Sequence, residues 1–141
     1  SRERYSQGDI DDPDKFVPCG GQGIVALQIM KSNRELGSYL DPLICPGTTL
    51  RATIERSFLK TIGGSCHSPV GIHARRSSAE KNWVLNAYAG SPMADISYTH
   101  TSRVTANDLR AAAKIGEDFA REFLKKIPDP HIEKLGLTRP R

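Results

Sequence analysis

The sequence predicts an α+β protein: a small antiparallel three-stranded sheet with helices on one face, preceded by a strand-helix segment that belongs to a larger α/β domain. Two helical stripes, over about 49–62 and 109–127, enclose three short runs of alternating apolar residues. That order, helix, three strands, helix, leaves one sheet face for the helices and the other free to meet a partner domain.

Taken in order, FVPCGGQGIVALQIM (Phe16 to Met30) places a dense apolar run after a glycine-rich turn and predicts a buried strand. Leu36, Tyr39 and Leu40 then sit at helical spacing, in a segment that ends near Asp41 because Pro42 disfavours helix in its predecessor. LDPLICPGT, with Pro42, Pro46 and Gly47, has the composition of a linker or domain junction. A helix follows from about Thr49 to Ile62, with Thr48 or Thr49 as N-cap and Leu50, Ile54, Phe58 and Ile62 on one face; Gly63 and Gly64 end it.

The three strands are signalled by alternation. Val70, Ile72 and Ala74 alternate with Gly71, His73 and Arg75; Trp83, Leu85 and Ala87 come next; Ile96 and Tyr98 lead on to Val104. AGSPMAD supplies the turn between the second and third. Thr105 and Asp108 resemble a capping box, and the stripe Leu109, Ala112, Ala113, Gly116, Phe119, Ala120, Phe123, Leu124, Ile127 runs to Pro128, which stops the helix. Glu117 with Arg121, and Glu122 with Lys126, are spaced as solvent-facing i,i+4 pairs on it.

Composition narrows the function. With 141 residues and 38% hydrophobic content the chain is globular in type. It has no run of about 18 apolar residues and no apolar leader core, so a cytoplasmic protein is expected, with no membrane partner. The formal charge of +4 is dispersed and aromatics are only 6%, which disfavours a base-stacking surface and hence a nucleic-acid partner. Three irregularly spaced cysteines, Cys19, Cys45 and Cys66, argue against a disulfide framework and a metal site. The first residue is Ser1, as expected of a processed product or one piece of a longer polypeptide.

The chemistry concentrates in GGSCHSPVG. Cys66 follows a helix C-terminus in a loop whose glycines adopt backbone angles closed to other residues. His67, Arg75 and Arg76 are the nearby cations that could raise its thiolate fraction, whereas the helix C-terminus opposes it. A reactive Cys66 and a buried inert one both remain open on the residues alone. Direct pairing of Cys66 with His67 is disfavoured, because adjacent side chains diverge. Cys19 and Cys45 are assigned small apolar packing roles. GGQG (Gly20 to Gly23) lacks the Lys-Ser/Thr ending of a phosphate loop; a close backbone approach or a hinge fits better, and Gln22 between two glycines is either a plain turn residue or one that presents its amide to a ligand.

Three stretches together, FVPCGGQGIVALQI, ATIERSFLKTIGGSCHSPVG and the strand-rich segment with its final helix, resemble the C-terminal half of the hydroxymethylbilane synthase (porphobilinogen deaminase) family. The resemblance spans about Asp12 to Ile127. It implies a transferase of tetrapyrrole and haem biosynthesis that extends a covalent dipyrromethane cofactor with four porphobilinogen units, losing ammonia each time, and releases hydroxymethylbilane. Cys66 occupies the position of the family's thioether-bearing cysteine. Gln22 and Gly23 match the turn lining the active-site cleft, Arg56 matches an arginine facing polypyrrole carboxylates, and Glu55 is implied as its structural partner. Gly63, Gly64 and Pro69 shape the cofactor loop.

The resemblance also implies that residues 1–47 are the end of the first domain plus linker and 48–141 the cofactor-bearing third domain. No acid here, Asp95 included, matches the family's catalytic aspartate, so this chain holds no catalytic residue of its own and is expected to be inactive alone. Its implied partners are porphobilinogen, the growing polypyrrole and the missing N-terminal half of the same enzyme. A non-catalytic binding or scaffold module that keeps the fold is the alternative.

Overall fold

The structure is a computed structural model and describes residues 16–63, 67–77 and 82–140. Helix α1 (Arg34–Leu40) is opened by Asn33, whose side-chain oxygen accepts the Leu36 N–H at 3.1 Å, and runs into a single 3-10 turn, Asp41–Leu43. Helix α2 (Pro46–Ile62) starts three residues earlier than the spacing predicts. Pro46 opens it, since a proline at the first turn sacrifices no helical donor, and Cys45 rather than a threonine is the N-cap. Gly63, with φ of 67°, ends it as expected.

Strands β1 (Val70–Arg76), β2 (Trp83–Ser91) and β3 (Ile96–Val104) form an antiparallel meander in the order β1-β2-β3. Ile72 lies opposite Ala87 and Ala87 opposite His100, so one face carries Ile72, Ala74, Leu85, Ala87 and Ala89 into the core. The other face shows Arg75, Thr99, Thr101 and Arg103 to solvent. Helix α3 (Leu109–Lys125) is capped by Asp108, which accepts the Ala111 N–H at 2.8 Å; Thr105 instead bonds Asn82, so the expected capping box is replaced by a single aspartate cap. α3 ends at Lys125 with Lys126 as its C-cap, short of the Pro128 stop; a short helix α4 (Asp129–Lys134), unforeseen beyond that proline, follows, with Pro128 as its N-cap.

Helices α2 and α3 pack on each other and on the sheet. Ile54, Phe58 and Ile62 of α2 meet Phe119 and Phe123 of α3, with Phe58 in tilted contact with both rings. Gly116 sits where the helices touch: a Cβ there would overlap the Ile54 carbonyl and Ser57. The pairing of Glu122 with Lys126 is corrected. Both reach His100 instead, at 3.4 Å and 2.8 Å, because its ring stacks on Phe119 between them. Glu117 and Arg121 do pair, at 2.9 Å.

The buried strand expected over Phe16 to Met30 does not form. Residues 24–30 have no ladder partner among the described residues, and Val25, Leu27 and Met30 are 88%, 63% and 75% exposed. An apolar strand needs a neighbour on its edge, and the β1 edge is occupied otherwise. Among the described residues no helix is long and apolar enough to cross a membrane.

Gly116→Val should lower stability by about 1–3 kcal/mol through overpacking at the helix crossing. By contrast Gly47, with open space around it in the first turn of α2, should accept alanine with no loss and a gain of up to about 1 kcal/mol from helix propensity. Urea unfolding of both variants checks the pair; equal effects would mean that the helix contact is looser than described.

Candidate functional site

The site elements hang on α2. Its sheet-facing side carries Glu55, wholly buried, whose carboxylate collects three donors. The Gly21 N–H donates to Oε2 at 2.7 Å; the Ala74 N–H and Arg51 Nε both donate to Oε1 at 2.9 Å. Ala74 belongs to the outer edge of β1, where its N–H would otherwise lack a partner, and the next outward N–H, of Ile72, donates to the Pro18 carbonyl at 2.9 Å. The segment 17–23 is therefore strapped along β1. Gly71 allows this approach, since a Cβ there would lie 2.5 Å from the Val17 carbonyl oxygen.

The GGQG stretch forms two successive turns, closed by Gln22 N–H to Cys19 O at 3.2 Å and Ile24 N–H to Gly21 O at 3.1 Å. No helix follows it, which removes the phosphate-loop reading. The Gln22 carbonyl accepts from Arg51 Nη2 at 3.2 Å, while its side chain is exposed, and so is Gly23. The turn is thus held at two points, by Arg51 through the Gln22 carbonyl and by Glu55 through the Gly21 N–H.

Glu55 pairs with Arg51, not with Arg56 as the resemblance implies. Side chains four apart share a helix face, whereas neighbours diverge. Arg56 is exposed and lines a second groove between α2 and α3, with Thr53, Ser57, Lys60 and Ala113. The structure therefore separates Arg56 from Gln22 and Gly23 onto a different face of α2. The i,i+4 spacing of Arg51 and Glu55 was the one available signal for the true pair.

Gly64 and Cys66 lie outside the described residues. Their flanks are well placed: Gly63 closes α2, Val70 N–H donates to Ser68 O at 2.8 Å, and the exposed Pro69 extends the ladder by accepting the Gly90 N–H at 3.1 Å. Cys19 and Cys45 are both exposed, which corrects their assignment to apolar packing. Cys45 is the N-cap of α2, and the Thr48 hydroxyl beside it holds its thiol below the ordinary value. Asp95 is exposed in the β2–β3 turn with φ of 51°, at the end of the sheet where β1 begins. Among the described residues no group of three or more His, Cys, Asp or Glu could hold a metal ion.

His73, on the open face of β1, has a buried Nδ1 with no hydrogen-bond partner among the described residues. Burial holds its imidazole below the ordinary value, and the Arg51 and Arg75 charges act in the same sense against the opposing Glu55. A groove of about 450 Å³ opens beside the turn; Ile24, Val25, Leu27, Leu40, Leu43 and Ile44 line it.

A family model described as porphobilinogen deaminase, C-terminal domain, matches residues 49–125. The porphobilinogen deaminase of an Exiguobacterium strain is 33% identical over 118 residues, 82% of this chain and 38% of that protein. That of Natranaerobius thermophilus is 30% identical over 113 residues, 80% of this chain and 36% of its own length. The chloroplastic porphobilinogen deaminase of Pisum sativum is 28% identical over 113 residues, covering 80% and 30%. The chain spans little more than a third of the length of the bacterial relatives it matches.

Glu55→Gln should cost about 1–3 kcal/mol, because the amide nitrogen must face either the Gly21 N–H or the Ala74 N–H and leave it unsatisfied. Amide exchange at those two positions would rise in the variant; an unchanged pattern would show that the carboxylate is dispensable. For His73 the folded value lies below the unfolded one near 6.5, so the unfolded chain binds the extra proton and stability falls as pH drops from about 6.5 to the depressed value. His73→Asn should flatten that part of the pH–stability curve; a slope equal to that of the parent would assign it to other groups.

Proposed function

This chain belongs to the porphobilinogen deaminase family, and we propose that it is the cofactor-bearing part of such a transferase, acting in porphyrin and haem biosynthesis. In this reading residues 1–47 are the end of a first domain with its linker, and residues 48–141 are the C-terminal domain. Cys66 is the attachment point for dipyrromethane, and the complete enzyme joins four porphobilinogen units to that group with loss of ammonia before releasing hydroxymethylbilane. The observation that carries the proposal is the position of Cys66 within the family match, between the glycine cap of α2 and the start of β1.

The residues present suit an acidic pyrrole chain. Arg56 and Lys60 set two exposed cations one helical turn apart, and Gln22 holds its amide free at a turn that Arg51 and Glu55 immobilise. Carboxylates of acetate and propionate type fit such donors. When bound, dipyrromethane supplies the pyrrole carbon onto which substrate units are added. The work of this chain is to hold it: Cys66 would carry it through a thioether, which resists hydrolysis, Gln22 and Gly23 would line the cleft, and Arg56 would neutralise carboxylates.

No acid of this chain is assigned to the reaction. The remaining partner is the N-terminal part of the same enzyme, and the groove around Val25, Leu27, Leu43 and Ile44 supports that assignment, because apolar surface of this kind is ordinarily covered in a finished protein. A cytoplasmic setting completes the reading.

Co-expression with the N-terminal part of a bacterial relative, followed by intact mass and an aldehyde reagent for pyrroles, tests it. The expected result is a dipyrromethane-sized adduct that Cys66→Ser abolishes, and no turnover by the purified 141-residue chain alone. An unmodified mass from the co-expressed chain would favour the non-catalytic module; turnover by the chain alone would contradict the assignment of essential groups elsewhere.

A further inference from the structure

The C-terminal tail reaches back to the cysteine loop. Helix α4 ends in a paired motif: Gly136 N–H donates to Glu133 O at 2.9 Å and Leu137 N–H to Ile132 O at 3.0 Å, with Gly136 at φ of 63°. Leu135 and Leu137 are buried on either side of it. From there the chain turns to the end of α2, where Thr138 N–H donates to Ile62 O at 3.0 Å, satisfying one of the carbonyls a helix end leaves open. The Thr138 side chain packs directly on Gly63, so that a Cβ at that glycine would overlap its hydroxyl. On the far side of the loop, Ser68 Oγ donates to Gly136 O at 3.2 Å.

The tail is itself tied down. Arg139 donates through Nη1 to Leu124 O at 2.8 Å and through Nη2 to Ile127 O at 2.7 Å, capping the C-terminus of α3, while Nε pairs with Asp129 at 2.8 Å. Two carbonyls and a carboxylate around one guanidinium fix its plane. Thr138 and Arg139 are exposed, so they contribute little to the core; their bonds all lead to chain ends and loop stems.

We propose that residues 136–139 act as a positioning strap that holds the two stems of the cysteine segment, Ile62–Gly63 and Ser68, at a set separation. Residues 64–67 join those stems, so the strap sets the distance that this short span has to close. The purpose of the strap rests on the assignment of Cys66 as the attachment cysteine: a thiol that must meet an incoming carbon gains rate from a restricted approach.

The test uses the full chain with Cys19 and Cys45 changed to serine, leaving Cys66 as its one thiol and requiring no bound group. Hydrogen–deuterium exchange of a 63–69 peptide and alkylation of Cys66 by iodoacetamide are followed in the parent, in Arg139→Gln, in Arg139→Lys and in a chain ending at Leu137. Exchange of 63–69 should accelerate at least about fivefold in Arg139→Gln and in the truncation, with peptides of β2 unchanged. The alkylation rate should change with it, and Arg139→Lys should restore part of the protection. Should the truncation fail to fold, the Gln and Lys variants carry the comparison. Unchanged exchange at 63–69, or an acceleration shared equally by β2, would overturn the strap. Because the free-thiol chain is used, absence of a pyrrole adduct would refute the attachment role of Cys66 and leave this result standing.

Discussion

The Glu55 carboxylate is the interaction on which the arrangement around it depends. Removing a carboxylate from water costs several kcal/mol, and only a full set of donors offsets it. Here the donors come from three places: the turn at Gly21, the sheet edge at Ala74 and the preceding helical turn at Arg51. The Ala74 N–H in turn needs the carboxylate, since it lies on the outer edge of β1 and has no strand beside it among the described residues. The bond network therefore fixes the distance between α2 and β1, and with it the path of residues 17–23 along the edge. That path is also what denies the 24–30 segment a place in this sheet.

Much of the domain could be read from periodicity alone. Ile54, Phe58 and Ile62 recur at helical spacing and are fully buried; Ile72 and Ala74, or Leu85 and Ala87, alternate and face the helices. These elements were legible because burial of a regular face is what sets them. The misreadings have a common source in long-range contact. Phe16 to Met30 has the composition of a buried strand, but composition does not supply a neighbour. Glu122 and Lys126 have the spacing of a pair, and His100, arriving from β3, separates them. Thr105 has the pattern of a cap, yet its hydroxyl finds Asn82.

The candidate site shows the same division. The glycines of the turn and the cap of α2 announce themselves, because few other residues suit a bend. The choice of Arg51 over Arg56 as partner of Glu55 follows from helix geometry, and spacing alone leaves it one option among several. Nothing in LGLTRPR suggests a structural role: it has no period, and two leucines are too few to mark a core face. Its importance comes from where α4 delivers it, against the end of α2.

These contacts make α2 a beam fixed at both ends. Near its start, Arg51 and Glu55 clamp the GGQG turn; at its finish, Thr138 caps Ile62 and covers Gly63. In between, Phe58 and the Gly116 crossing join it to α3, whose own end is held by Arg139. The turn that carries Gln22 and the stems at Ile62–Gly63 and Ser68 are thus set by one rigid element, and their relative placement cannot change without breaking these hydrogen bonds or opening the helix crossing. The apolar groove beside the turn lies outside this frame, so a further polypeptide can cover Val25 and Leu27 without disturbing the bonds that hold the turn and the ends of α2.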